Sequence, residues 1–283
     1  MRTLLLLSVL AVITASCAPS RDARPSDPRD DLYAPTGTFS IIAYDTATGE
    51  WGGAVQSRVF SVGNGVLWAE ANVGIVATQA IVDVSYGPQA LALLRKGKSA
   101  KDVVQEVWKH DPDPVPFDLK RTRPGRGGPV VDSTGWTKLG RQFAVVDAKG
   151  NVAAYTGPKA TPWAGDRQAP HVTAQGNILA GPGVVDSMIA AYLRTPGHIS
   201  LRLVAALEAG DKAGGDTRGK QSAALIVVKK CGGVWLHNDQ VLRLQVDDNP
   251  EPIAELRRLV QMSPPGRGRS ANTTDAKTDK ACK

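Results

Sequence analysis

Two β-strands and a tight turn are predicted in residues 38–58, which read TFSIIAYDTATGEWGGAVQSR. Residues 38–44 are rich in β-branched and aromatic side chains, which favour strands. Residues 45–50 combine Asp, Thr and Gly, the composition of a turn, and residues 51–58 return to a strand composition. The stretch therefore predicts a β-hairpin that opens the folded part of the chain.

The order of the other predicted elements decides between a parallel and an antiparallel sheet. Helices are expected in pairs, 88–95 with 101–109 and 184–193 with 201–209, and each pair is flanked by runs of strands. A parallel sheet would alternate single helices with single strands. We therefore predict an α+β fold in which two antiparallel sheets pack together, with helical layers outside. Further strands are expected at 66–69, 73–80, 142–147, 152–156, 172–179, 222–229 and 241–246, a closing helix at 253–260, and a loop that could rim a pocket at 163–167.

Composition divides the chain into a folded block and two polar ends. Residues 38–262 contain no break strong enough to divide them, so one domain is expected. Residues 18–37 and 263–283 have little apolar surface to bury, which predicts a flexible tether and a disordered basic tail. Residues 111–138 are rich in Pro, Gly and Arg and are expected to form a surface insertion.

The first 17 residues have the pattern of an export signal. Arg2 precedes an apolar run at 4–13 that is too short to span a bilayer, and small residues lead to Cys17. The pattern resembles a bacterial lipobox, in which Cys17 would be lipidated; ordinary signal-peptidase cleavage is the alternative. Both predict an exported protein of the periplasm or cell envelope, bound to the membrane only through a lipid on Cys17. In that oxidising compartment Cys231 and Cys282 could form a disulfide.

Charge and motifs argue against several classes of function. The formal net charge is +7, but Arg2 contributes one unit and residues 263–283 contribute three, which leaves about +3 for the remainder. So small a charge argues against a nucleic-acid partner. The chain lacks GxSxG, HExxH and Walker sequences, and its four histidines are scattered without ligand spacing. Neither a metal nor an organic cofactor is therefore expected.

A threonine at the boundary between the tether and the first strand is a candidate nucleophile. The Thr38 hydroxyl is a poor nucleophile unless a base lies beside it. If the chain were cut between Gly37 and Thr38, the new α-amine, with an ordinary pKa of about 7.7–8.0, would be that base. The alternative is a threonine that simply begins an edge strand of a hairpin.

Six distinctive blocks of sequence lie in the folded part. They are TFSIIA at 38–43, GGAVQSR at 52–58, ATQA at 77–80, SYGP at 85–88, QGNILAG at 175–181 and GGDTRGKQSAA at 214–224. In this order they resemble the bacterial domain of unknown function number 1028, a family placed in the N-terminal-nucleophile (Ntn) hydrolase superfamily. The resemblance covers residues 38–260 and implies a four-layer αββα sandwich and an amidohydrolase ancestry. It also implies that Thr38 matches the exposed N-terminal threonine of other members.

Five further residues are candidates for the site. The Gly-rich turn that holds Asp216 and Arg218 resembles a motif of asparaginase-type Ntn enzymes. There Arg218 would bind a substrate carboxylate and Asp216 would hold an amine or orient the arginine, although a pair that only stabilises the turn is the alternative. Gln79 and Asn177 are amides in predicted strands and candidate oxyanion donors, unless they tie loops together. Arg58 could lower the pKa of the new amine as a nearby cation, or be a solvated arginine at a strand end.

The leading hypothesis is an exported Ntn-type amidohydrolase that cleaves a small amide or peptide-like bond through an N-terminal Thr38. Its main rival is a catalytically inactive binding protein of the same fold, tethered in the cell envelope, that holds a ligand in the same cleft. A third interpretation is an envelope protein that contacts anionic polymers through its insertion and basic tail. The expected partner is a small-molecule or peptide-like substrate, and a homo-oligomer is left open.

Overall fold

The computed structural model describes residues 37–111, 137–160 and 163–263. The predicted signal peptide with Cys17, the tether before Gly37, nearly all of the predicted insertion and the basic tail after Ser263 lie outside these residues. The described residues form ten strands and five helices: β1 (Thr38–Asp45), β2 (Glu50–Ser57), β3 (Leu67–Glu70), β4 (Gly74–Ala80), α1 (Tyr86–Arg95), α2 (Ala100–Lys109), β5 (Arg141–Asp147), β6 (Val152–Thr156), β7 (Trp163–Ala169), β8 (Val172–Leu179), α3 (Gly183–Arg194), α4 (Ile199–Lys212), β9 (Ser222–Val228), β10 (Gln240–Val246) and α5 (Pro252–Met262).

The predicted hairpin forms the centre of the larger sheet. β1 and β2 pair antiparallel along their whole length. A Cβ added at Gly52 would lie 2.8 Å from Leu203 Cδ1 of α4, and one added at Gly53 would lie 2.9 Å from Ile75 Cδ1 of β4. The two glycines therefore allow a helix and the second sheet to approach opposite faces of β2 closely.

The strands of the described residues build two antiparallel sheets. The larger has the order β10-β9-β2-β1-β8-β7 and the smaller the order β3-β4-β5-β6. β1 lies inside the larger sheet, paired with β2 on one side and with β8 on the other. The edge strand β7 shows that the prediction of a loop at 163–167 was wrong. β7 is an edge strand whose side chains are partly or fully exposed, and it contains Asp, Arg and Gln. Its sequence therefore lacks the apolar pattern that predicts a strand.

Three apolar clusters separate the layers. The first, which includes Phe39, lies between the larger sheet and the helices α3, α4 and α5. The second, which includes Ile42 and Ile75, lies between the two sheets, and the third, which includes Phe143, lies between the smaller sheet and α1 and α2. Successive strand residues point to opposite faces, so β1 contributes to two of the clusters. The arrangement confirms the predicted α+β class with two antiparallel sheets and is consistent with a sandwich.

Two predictions about the membrane and the cysteines depend on the chain ends. Within the described part of the chain, no helix has both the length and the apolar character needed to cross a bilayer. Cys231 is disulfide-bonded. Because Cys17 and Cys282 both lie outside the described residues, the pairing of Cys231 with Cys282 stays a prediction.

A buried carboxylate lies at the turn end of the hairpin. Glu50, at the start of β2, is 0% exposed, and it accepts hydrogen bonds from His198 Nε2 at 3.1 Å and from Thr48 Oγ1 at 2.9 Å. Burial alone would raise the pKa of this carboxyl, but the hydrogen bond and charge of His198 and the Thr48 hydroxyl hold the pKa below its ordinary value of 4.5. The charged Glu50 therefore stabilises the fold above about pH 4.5, and this contribution is lost as the pH falls through the lower folded-state pKa.

We expect Glu50→Gln to lower the free energy of unfolding by about 3 kcal/mol at pH 7, because it removes one partner of a buried pair. The difference in unfolding free energy between the variant and wild type should shrink as the pH falls below about 4.5. It should close below the lower folded-state pKa, where the wild-type carboxylate also loses its charge. Urea unfolding from pH 7 to pH 3 measures both effects. Glu70→Gln, which breaks an exposed ion pair with Arg95, is the control and should change the unfolding free energy little at any pH. If the variant and wild type differed equally in unfolding free energy at pH 7 and at pH 3, the charge of Glu50 would not be what stabilises the fold.

Candidate functional site

The space between the sheets changes from apolar to polar toward the beginning of β1. Ile42 belongs to the apolar cluster between the sheets, whereas Ser40 and Thr38 occupy the same face of the strand two and four residues earlier. Thr38 is only 2% exposed. The register places it between Ser57 of β2 and Asn177 of β8. The first strand residue is therefore buried in a polar environment and held from both sides.

A chain of hydrogen bonds joins the Thr38 hydroxyl to the carbonyl group of the residue before it. Thr38 Oγ1 donates to Ser57 Oγ at 3.0 Å, and Ser57 Oγ donates to the Gly37 carbonyl oxygen at 2.5 Å. Arg218 Nη2 donates to the same oxygen at 2.8 Å. Two donors, one of them charged, therefore polarise the carbonyl of the Gly37–Thr38 peptide bond.

The Asp216 carboxylate fixes the position of Arg218. It accepts hydrogen bonds from Arg218 N, Nε and Nη2 at 3.0, 3.1 and 2.7 Å, and its side chain is buried. Gly214 and Gly219 in this turn have φ of 112° and 109°, which glycine adopts without steric cost. A Cβ added at Gly37 would lie 2.7 Å from Asp216 Oδ1, so the close approach of this carboxylate requires glycine before Thr38. Asp216 therefore holds the Arg218 guanidinium beside the Gly37 carbonyl.

Gln142 joins the two amides that the sequence singled out. Its Oε1 accepts hydrogen bonds from Gln79 Nε2 at 2.8 Å and from Asn177 Nδ2 at 3.0 Å. The same two nitrogens donate to the Thr38 carbonyl oxygen at 3.3 and 3.5 Å. Gln142 Nε2 donates to the Gly176 oxygen at 2.8 Å. The two predicted amides thus hold the backbone of Thr38, and Gln142 holds the amides.

Two further polar side chains extend this network beneath Thr38. Ser40 Oγ donates to Gln79 Oε1 at 2.6 Å, and Gln175 Nε2 donates to Ser40 Oγ at 2.6 Å. Sequence reasoning missed Gln142 and Gln175, although both are amides in predicted strands, the signal that marked Gln79 and Asn177. The buried amides satisfy one another, which offsets the cost of placing them between two sheets.

Arg58 lies apart from this cluster. It follows the last residue of β2 and is exposed, with its Cδ 3.8 Å from a Cβ added at Gly219. In the described part of the chain, the Thr38 hydroxyl is bonded to Ser57 and not to Arg58. The alternation of strand residues explains this placement, because Ser57 and not its neighbour faces the space between the sheets. Sequence reasoning named the arginine and missed the serine.

A cavity of ≈ 160 Å³ opens beside Thr38 and Gln79. The rest of its lining comes from the loop after β2 and from Val82, after β4. Ser61 in the loop has φ of 54°, which is uncommon for a residue other than glycine. Its backbone nitrogen donates to the Asp247 carbonyl oxygen at 2.9 Å, and its Oγ donates to Asp247 Oδ1 at 2.6 Å. The residue after β10 therefore fixes the loop that bounds the cavity.

The chemistry available at the site is that of hydroxyls, amides and one arginine. Over the described ranges, no group of three or more His, Cys, Asp or Glu side chains is placed to hold a metal ion. The Thr38 hydroxyl, a polarised neighbouring carbonyl and a cavity are among the parts that covalent acyl chemistry requires, and a base for the hydroxyl is a further one.

Fold and site define an α+β protein of two antiparallel sheets with a buried threonine at the start of an interior strand. The chain belongs to DUF1028, a family of unknown function whose model matches residues 38–116 and 131–256, so the match begins at Thr38. This confirms the family resemblance. The chain is also similar to protein SPO2555 from Silicibacter pomeroyi, a DUF1028 structure, with 30% sequence identity and a TM-score of 0.65 over 80% of this chain and 85% of that chain. No curated protein matches the chain.

Proposed function

We propose that this protein is an exported Ntn-type amidohydrolase that cleaves a small amide or peptide-like bond with Thr38 as the nucleophile. The observation that carries the proposal is the Thr38 hydroxyl, linked to a carbonyl that Ser57 and Arg218 hold by hydrogen bonds. The four-layer αββα sandwich of that superfamily is supported by the two sheets and by the helices packed against each of them.

Cleavage of the Gly37–Thr38 bond comes first and uses the same hydroxyl. Thr38 Oγ1 attacks the Gly37 carbonyl carbon, while Ser57 and Arg218 stabilise the charge that develops on the carbonyl oxygen. The carbon–nitrogen bond then breaks as the proton lost from Oγ1 is transferred to the Thr38 nitrogen. The Gly37 acyl group is left on Oγ1 as an ester, and water hydrolyses it to a carboxylate and a free Thr38 amine.

The free amine then serves as the general base for the substrate. It takes the proton of Oγ1 as the hydroxyl attacks the substrate carbonyl, and it passes that proton to the leaving amine. Water hydrolyses the resulting acyl-enzyme and regenerates the hydroxyl. Gln79 and Asn177 keep the Thr38 backbone in place during both steps, because their amides hold its carbonyl oxygen from two different strands.

The proposal has a consequence for localisation. Residues 1–17 direct export, and a lipid on Cys17 would anchor the uncut chain to the membrane. A lipid on Cys17 and a free amine on Thr38 cannot belong to the same covalent chain. Processing would therefore release the domain from the anchor into the periplasm or cell envelope.

The mass and the N-terminal sequence of the exported protein test the proposal. We expect a mature chain that begins at Thr38. Arg218→Gln, which removes the charged donor to the Gly37 oxygen, should slow the cut by roughly 100-fold and accumulate the uncut chain. Amide hydrolysis by a chain that begins at Cys17 or Ala18 would overturn the mechanism. An uncut chain without activity would favour the rival, a ligand-binding protein of the same fold.

A further inference from the structure

Apart from Thr38 and Gln79, the cavity beside Thr38 is lined mainly by apolar residues. Phe60 contributes to it and is 68% exposed. Ser61 also lines it, and the Ser61 hydroxyl donates a hydrogen bond to Asp247 Oδ1. Four valines give the cavity its apolar character: Val59, Val62, Val66 and Val82.

The shape of this lining is fixed by the surrounding structure. Val62 and Val66 are 5% and 6% exposed and belong to the apolar cluster between the sheets. The backbone between Val59 and Val62 is held through Ser61 by two hydrogen bonds to Asp247. Val62 and Val66 therefore form a close-packed wall of the cavity, and such a wall can discriminate between groups of different size.

The volume of ≈ 160 Å³ sets the size of the group that fits. An apolar cavity of about 150 Å³ is large enough for a benzene molecule. Pockets for larger organic ligands measure about 300–1,000 Å³. The cavity beside Thr38 is therefore suited to one side chain and not to a whole extended ligand.

We infer that this cavity receives the side chain of the substrate's acyl group and selects an apolar group of branched aliphatic or single-ring size. The inference rests on the proposed function, because Thr38, which lines the cavity, must attack the carbonyl that carries this group. Each CH₂ group that moves from water into the cavity should raise kcat/KM by a factor of about four. An isovaleryl group has three more carbons than an acetyl group, so the expected preference is about 60-fold.

The exported, processed protein is assayed with acetamide, isovaleramide and phenylacetamide, which share ammonia as the leaving group. We expect kcat/KM for isovaleramide to exceed that for acetamide by about 60-fold, and kcat/KM for phenylacetamide to exceed it by at least as much. Ligand-observed NMR with the same three amides gives a second measurement that does not depend on hydrolysis. It should report saturable binding of the two larger amides and much weaker binding of acetamide.

Variants of Val82 test whether the cavity causes the preference. Val82 is half-buried in a loop, so Val82→Phe can fill the cavity without rebuilding a sheet. It should reduce kcat/KM for isovaleramide by roughly tenfold, and by more than it reduces kcat/KM for acetamide. Val82→Thr, which keeps the shape but adds a hydroxyl, should cause a smaller loss. Val234→Phe, at an exposed valine outside the lining, is the control and should behave as wild type.

The outcomes separate this inference from the proposed function. Hydrolysis with no preference among the three amides would overturn the cavity's role and leave the hydrolase proposal standing. Binding that Val82→Phe weakens, in a protein without hydrolytic activity, would support the cavity and contradict the hydrolase. If the protein shows neither hydrolysis nor binding of these amides, both the inference and the proposed function are overturned.

Discussion

Thr38→Ala is expected to abolish amide hydrolysis, with kcat/KM reduced roughly ten-thousandfold or more. The variant lacks the atom that forms the acyl-enzyme, and it also lacks the group that cuts the Gly37–Thr38 bond. No free amine then forms, so the nucleophile and its base are lost together. Hydrolysis assays, combined with the mass of the exported chain, measure both losses. Thr38→Ser keeps a hydroxyl and should keep both reactions within about tenfold.

The fold should survive this substitution. The Thr38 hydroxyl makes one described hydrogen bond, to Ser57, so its removal should cost about 1 kcal/mol of unfolding free energy. Thr195→Ala is a matched control, because its hydroxyl also makes one hydrogen bond, to the Ala191 oxygen at 2.8 Å. Thr195 lies away from the site: it follows Tyr192 by three residues, the Tyr192 carbonyl accepts a hydrogen bond from Arg202, and Arg202 also donates to Asp45 at the opposite end of β1 from Thr38. The control should lose similar stability and no activity; full activity in Thr38→Ala would refute the mechanism.

Gln142→Leu is expected to have the largest effect on stability, about 3–4 kcal/mol of unfolding free energy. Gln142 is 0% exposed, and its oxygen is the shared acceptor of two buried amides. Leucine fills a similar volume but leaves those N–H groups without a partner, and each buried orphan costs about 1–3 kcal/mol. For a domain of this size the melting temperature should fall by roughly 10 °C. Gln168→Leu, at an exposed glutamine of β7, should stay within about 0.5 kcal/mol of wild type.

The same variant tests whether Gln142 also positions the nucleophile. At a temperature where Gln142→Leu is folded, kcat should fall by about tenfold while KM changes little, because the amides that hold the Thr38 carbonyl are released. Gln142→Glu, which restores an acceptor oxygen, should recover part of kcat. A stability loss with an unchanged kcat would mean that the network supports the fold alone.

Most of the fold could be predicted from local patterns. β1, β2, the four helices in two pairs and the family blocks all follow from periodicity, turn residues and short motifs, which depend on neighbours along the chain. β7 could not be predicted in this way, because an edge strand with Asp166, Arg167 and Gln168 has neither an alternating nor a continuous apolar pattern. Its pairing with β8 is what makes it a strand.

Only part of the candidate site could be predicted from the sequence. The sequence predicts as site residues Thr38, Gln79, Asn177 and the Asp216–Arg218 turn, and the structure brings them together. Ser57 was missed because its role depends on which side chain of β2 shares a face with Thr38, and that depends on the strand register. The contacts of Gln142 span 63 and 35 residues along the chain, a separation that no local pattern encodes.

The interior position of β1 bears on the proposed cleavage before Thr38. New chain termini usually fray, because their backbone groups exchange partners with water. A terminus created at Thr38 would instead be clamped between two neighbouring strands, and the sheet alone would aim its amine. The peptide removed by the proposed cut would then have one structural requirement: a last residue whose side chain cannot collide with Asp216.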